Sequence, residues 1–144
     1  MTVVVTREEM AAFLRREFPQ TRVSVEAIEA DGIVVAHDIT EAELRPGGTV
    51  SGPVMMALAD VALYVAVLSR IGLVPLAVTT SLNINFLRKP LADRRLIGRC
   101  RLMKLGKSLA VGEVWLYSEG QEEPVAHATG TYSIPRRPDA VVTV

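Results

Sequence analysis

The sequence predicts an α+β fold in which an antiparallel sheet of about six strands wraps round one long apolar helix. Three observations predict it. Between residues 54 and 68 every residue is apolar except Asp60, so a helix there is hydrophobic on all sides and has to be covered. Immediately after it, Ser81, Asn83 and Asn85 alternate with Leu82, Ile84 and Phe86, the period of a strand with one polar and one apolar face. Three further strand-like runs, at about 95–105, 108–118 and 124–135, are joined by short polar turns, which makes them hairpin-linked and antiparallel. A sheet that broad twists enough to curl over a single helix.

The 144 residues fit one domain, 1–144, large enough to bury a core. A hydrophobic share of 49% against 22% charged residues argues against disorder. Sixteen basic and sixteen acidic side chains cancel, so no basic excess points to a nucleic-acid partner. One cysteine, Cys100, leaves no internal disulfide and fits a reducing compartment, the cytoplasm. The start of the chain lacks the basic flank, apolar run and cleavage site of a secretory signal. The apolar stretch 53–68, sixteen residues with an Asp inside, reads as a buried helix rather than a bilayer span, so no membrane partner is expected.

In chain order, Thr6 and Glu9 have the form of a capping box, and Met10, Phe13 and Leu14 recur at helical spacing up to Pro19, which defines an N-terminal helix within 1–20. Two β-prone runs flank Asp31-Gly32, a hairpin signal because both residues tolerate positive φ. Residues 41–50, with Pro46, Gly47 and Gly48, read as loop. Ser51 is the candidate N-cap of the long helix and Pro53 its first residue. Gly72 and Pro75 stop that helix, and Arg88-Lys89-Pro90 closes the strand that follows. His37, His127 and Cys100 read as structural residues of strands. Residues 136–144 show no element and read as a mobile tail.

Asp60 is the candidate functional residue. Burying an ionised carboxylate without partners costs several kcal/mol, so it lies either on an exposed stripe of the helix or in a pocket that uses it. The free backbone N–H groups at the helix start, Gly52 among them, suit negative charge. No Cys/His cluster or HExxH suggests a metal, and no phosphate-cradling glycine motif is present.

With these elements in place, the chain resembles the hotdog-fold acyl-CoA thioesterases, in the group that includes the phenylacetate-pathway thioesterases. The resemblance spans about 44–132. It is carried by Gly48-Thr49 before the helix, Ala57-Leu58-Ala59-Asp60 within it, the strand from Val78 through Thr79, Thr80 and Ser81 to Arg88, and Ala128-Thr129-Gly130-Thr131-Tyr132. It implies that Asp60 is the catalytic base or nucleophile and that the Gly52 N–H polarises a thioester carbonyl. Family members usually open the helix with His-Gly-Gly. Here Ser51-Gly52-Pro53 replaces the histidine and removes one N–H, and Arg45 stands where relatives often carry Asn or Gln. Coenzyme A is then part of the substrate, and no separate cofactor is implied.

Asp60 and Gly52 are eight residues apart, roughly 12 Å along one helix. One carbonyl, about 3 Å from each group, cannot be served by both within a single subunit. If both act, Asp60 of one chain faces Gly52 of another, in keeping with self-association as a dimer or tetramer. Ser51 is a candidate for orienting substrate, and Tyr64, one turn beyond Asp60, for lining the site. Arg88, Lys89, Lys104 and Lys107 are candidates for the phosphates of coenzyme A. For Asn83 and Asn85, the period leaves open whether they line the acyl pocket or the outer sheet face. Two other functions compete: a non-catalytic acyl-CoA binder or sensor of the same fold, and an acyl-thioester hydratase or dehydratase drawing on His37 or His127.

Overall fold

The computed structural model describes residues 1–136. Apart from Arg136, the tail expected at 136–144 lies outside the described residues. The elements are helix α1 (Arg7–Glu17), strands β1 (Val23–Glu29) and β2 (Gly32–His37), a two-residue hairpin of β3 (Leu44–Arg45) and β4 (Thr49–Val50), the long helix α2 (Gly52–Ile71), and strands β5 (Val78–Phe86), β6 (Leu96–Leu105), β7 (Leu109–Ser118) and β8 (Ala126–Ser133). Six strands form one antiparallel sheet in the order β1-β2-β6-β7-β8-β5, with α2 packed across its inner face.

The N-terminal capping box forms as its sequence requires: the Glu9 N–H donates to Thr6 Oγ1 at 3.1 Å and the Thr6 N–H to Glu9 Oε1 at 2.9 Å. Met10, Phe13 and Leu14 are buried, and the C-terminal end of the helix runs into Phe18. The β1–β2 hairpin forms, but for a different reason from the one its Asp-Gly pair suggests. Neither Asp31 nor Gly32 has positive φ; among the described residues that conformation occurs only at Gly47, Gly48, Gly72 and Gly120. Gly32 already belongs to β2, and a Cβ there would lie 2.6 Å from the Cys100 carbonyl oxygen of β6. The glycine serves strand approach, not turn geometry. Cys100 itself is a buried core residue, and burial pushes its thiol far up from the usual range, with the nearby charge of Glu113 adding to the effect.

The segment read as loop holds more structure than its composition suggests: a short 3₁₀ turn at Glu41–Glu43 and the β3–β4 hairpin, whose tip uses positive φ at Gly47 and Gly48. His37 Nε2 lies 2.6 Å from Glu43 Oε2, and Glu43 also accepts the Thr40 N–H at 2.7 Å. This pair braces the turn that leads into α2. Helix α2 starts at Gly52, so Pro53 is its second residue, and Ser51 occupies the N-cap without making a side-chain cap bond. It is 20 residues long, longer than the stretch read from sequence, and meets the length and apolarity of a bilayer span. Burial of 61% of its most apolar 18-residue window inside the protein marks it as the core helix.

Close approach between helix and sheet depends on small residues. The inward positions of β8 are Ala126, Ala128, Gly130 and Tyr132, all buried. Leu63 of α2 sits over two glycines: a Cβ on Gly112 would come within 2.8 Å of Leu63 Cδ2, and one on Gly130 would overlap Leu63 Cδ1. Where the series ends in Tyr132, the side chain is long enough to reach the helix backbone at Asp60, its hydroxyl donating to the Asp60 carbonyl oxygen at 3.0 Å.

Candidate active site

Helix α2 leaves one stripe less covered than the rest: Pro53, Met56 and Ala57 are exposed, and Asp60 and Tyr64 are half-buried. Asp60 therefore combines both expected settings, lying on the least covered stripe and in the wall of a cleft of about 550 Å³. That cleft is bounded by Tyr64 and Val61 of α2, by Pro75 to Thr79, by Tyr132 of β8, and by Glu17, Phe18 and Gln20 at the end of α1.

Two hydroxyls converge on one oxygen of the carboxylate. Thr79 Oγ1 donates to Asp60 Oδ1 at 2.5 Å and the Tyr132 hydroxyl donates to the same oxygen at 2.8 Å. Among the described residues Oδ2 has no hydrogen-bond partner. Burial, reinforced by the Asp60 charge, holds the Tyr132 phenol well above its usual range, so it remains an O–H donor. Tyr64 donates its hydroxyl to the Pro75 carbonyl oxygen at 3.0 Å, and its phenol is also raised, first by burial and then by the charge of Glu17.

Thr79 faces Asp60 because of a bulge. In β5 the register with β8 runs Thr79↔Tyr132 and then Ser81↔Thr131, so Thr80 is an extra residue. Directly opposed residues share a face, which puts Thr79 beside Tyr132 on the helix side. Beyond the bulge Leu82, Ile84 and Phe86 take the helix side, opposite Gly130, Ala128 and Ala126. Asn83 and Asn85 fall on the outer face, exposed and opposite Thr129 and His127. They lie away from the cleft, which resolves the alternative their spacing left open.

The other predicted residues divide between two ends of the sheet. At the start of α2, the Phe86 ring lies over Gly52, with its Cζ 3.3 Å from where a Cβ would be. Arg88 and Lys89 follow Phe86, so they share this end with Gly52 and Ser51; Arg88 pairs with Glu123 at 2.5 Å. Arg45 is exposed on the hairpin just before the helix. Lys107 lies in the β6–β7 turn at the opposite end, where Leu109 pairs with Ser133, and Lys104 is beside it, opposite Val111. The seven residue steps from Ala126 to Ser133 span roughly 23 Å of strand, so the four cations do not converge in one protomer.

Neither histidine lines the cleft. His37 is engaged with Glu43, while His127 on the outer face contacts Glu113 Oε1 at 2.9 Å and packs against Trp115 with ring centroids 4.1 Å apart. Sequence reasoning missed Thr79 and Tyr132 as site residues. Simple alternation from Ser81 assigns Thr79 to the polar outer face, and only the bulge reverses this.

The Thioesterase superfamily model matches residues 47–125, more than half of the chain. A candidate thioesterase from Silicibacter sp. TM1040 is 47% identical, with a TM-score of 0.87 over 94% of this chain and 96% of that one. A mutant of the phenylacetic acid degradation protein PaaI from Thermus thermophilus is 29% identical over 85% of this chain and 97% of that one, TM-score 0.68. A hypothetical thioesterase from Streptococcus pneumoniae, solved with coenzyme A, shares the fold at 23% identity, TM-score 0.69, over 79% of this chain and 89% of that one. No curated protein matches by sequence. The six-stranded sheet curled round α2 is the hotdog fold that the resemblance implied, and the chain belongs to the thioesterase superfamily.

Proposed function

We propose that the protein hydrolyses the thioester bond of an acyl-CoA, with Asp60 as base or nucleophile and the Gly52 N–H of a partner subunit as oxyanion donor. The observation that carries this reading is the Asp60 carboxylate, held by two hydroxyls through Oδ1 with Oδ2 free of a partner among the described residues, in the wall of a largely apolar cleft. As general base, Oδ2 takes a proton from water while the water oxygen attacks the carbonyl carbon. The carbonyl oxygen becomes an oxyanion stabilised by the Gly52 N–H. Collapse breaks the C–S bond, the proton passes from Asp60 to the departing thiolate, and carboxylic acid and coenzyme A result.

Self-association is supported by the surface flanking the site. Strand β5 is an outer strand of the sheet, and its Val78 and Phe86, with Met56, Leu76 and Leu87 beside it, are exposed, Leu76 by 74%. A second copy covering this surface brings its helix start toward Asp60. Ser51, free of a capping bond, is available there to orient substrate, and Arg88, Lys89 and Arg45 share that end with Gly52. Coenzyme A in the pneumococcal relative is consistent with this substrate class.

The test is an acyl-CoA panel followed by free-thiol release, run on wild type and Asp60→Asn. Turnover in the wild type and a loss of about 100-fold or more in Asp60→Asn is expected. Equal rates in the two proteins would refute the assignment. Tight acyl-CoA binding by calorimetry without thiol release would indicate a binder or sensor instead.

A further inference from the structure

The cleft that Asp60 faces has a charge character that follows from its walls. Among the described residues its titratable groups are Glu17, Asp60, Tyr64 and Tyr132, so two carboxylates and two phenols face it and no cation does. Asp60 and Tyr64 are four residues apart on α2, about 6 Å along the helix. Glu17, at the C-terminal end of α1, lies beyond Tyr64, and its charge is felt at the Tyr64 hydroxyl. Arg16 Nε is 3.3 Å from Glu17 Oε2 at the cleft's rim, where both side chains are partly exposed, at 61% and 40%, and only Glu17 lines the cleft. The remaining wall is mainly apolar, including Phe18, Val61, Leu76 and Val78.

Coenzyme A carries several negative phosphate charges, and a cleft with no cation and two carboxylates disfavours them. In the proposed dimer the cations near a partner's helix start come to the Asp60 side of this cleft, whereas Glu17 lies at its α1 rim. The acyl group therefore occupies the cleft, extending from the carbonyl at Asp60 past Tyr64 toward α1.

Resting on the thioesterase reading, we propose that Glu17 is a specificity-determining residue: the enzyme takes acyl groups that are uncharged at the far end and rejects those that end in a carboxylate. Desolvating an ω-carboxylate in an apolar cleft is unfavourable, and placing it beside Glu17 adds like-charge repulsion. A methyl terminus of the same length meets neither cost.

The test compares hexanoyl-CoA with adipoyl-CoA, which differ at the far end, in wild type, Glu17→Gln and Glu17→Lys. The readout is the ratio of the two kcat/KM values. The wild type is expected to favour hexanoyl-CoA by about tenfold or more, Glu17→Gln to narrow that ratio about threefold, and Glu17→Lys to narrow it further. A wild-type ratio near one, or a ratio unmoved by both substitutions, overturns the proposal. If neither substrate is hydrolysed, the ratio of dissociation constants from calorimetry on the same three proteins decides the charge preference by the same criteria, and the acyl-CoA panel decides the thioesterase reading separately.

Discussion

Asp60 is set up by two neighbours that act on one of its oxygens. Thr79 and Tyr132 fix the carboxylate through Oδ1 and leave Oδ2 without a hydrogen-bond partner among the described residues. A hydrogen bond to a charged group is worth about 1.5–3 kcal/mol, which corresponds to roughly ten- to a hundredfold in rate if it is lost at the reacting geometry. Thr79→Val and Tyr132→Phe are therefore each expected to lower kcat by about that factor while KM changes little. Stopped assays of thiol release over a substrate series separate the two parameters. An increase in KM at constant kcat would place these residues in substrate binding instead. Asp60 was legible in the sequence because a lone carboxylate in fifteen otherwise apolar residues has few explanations. Its two partners were not, because their role depends on which way side chains point across a bulge. Tyr132 belonged to a recognisable strand, but nothing in its local pattern linked it to a helix 72 residues earlier.

The elements position those residues through strand register. The extra residue Thr80 turns Thr79 inward, and the pairing of Thr79 with Tyr132 sets the two hydroxyls side by side. Small inward residues on β8 let α2 lie close enough for both to reach it. Gly130→Ala is expected to destabilise the protein by about 1–3 kcal/mol, because the new methyl overlaps Leu63 and forces the helix away from the sheet. A fall in the denaturant midpoint at unchanged slope measures it, and an unaltered midpoint would show that Leu63 moves aside freely. The helices and strands themselves were legible because each has a strong local signal: the capping box at Thr6, the continuous apolar run of α2 and the alternation in β5. Two local signals meant something different in the fold. Gly32 reflects the approach of β6, a partner distant in sequence, rather than a turn, and Ser51 holds the N-cap position without capping, with Pro53 at the second helical position offering no N–H.

At the scale of the whole molecule, the proposed function gives one protomer two half-sites. Asp60 with Thr79 and Tyr132 forms one, and Gly52 with Ser51 and the nearby cations forms the other, some 12 Å along the same helix. The fold class followed from the sequence because a fully apolar helix has to be wrapped, and six strands suffice to wrap it. The proposal that the site is shared between subunits rests on helix rise. The exposed β5 edge and its apolar residues are the surface through which the proposed half-sites would meet.

The most direct test of that account mixes two inactive proteins. Asp60→Asn lacks the carboxylate, and Gly52→Pro lacks the N–H while keeping a residue that the first helical position accepts. When the two are co-expressed and pair at random, half of the dimers are mixed, and each mixed dimer holds one site with both groups intact. A site shared between subunits predicts thiol release at about a quarter of the wild-type rate from the mixture, with neither variant active alone. A mixture as inactive as its components would contradict it, because every protomer would then have needed its own Asp60 and its own Gly52.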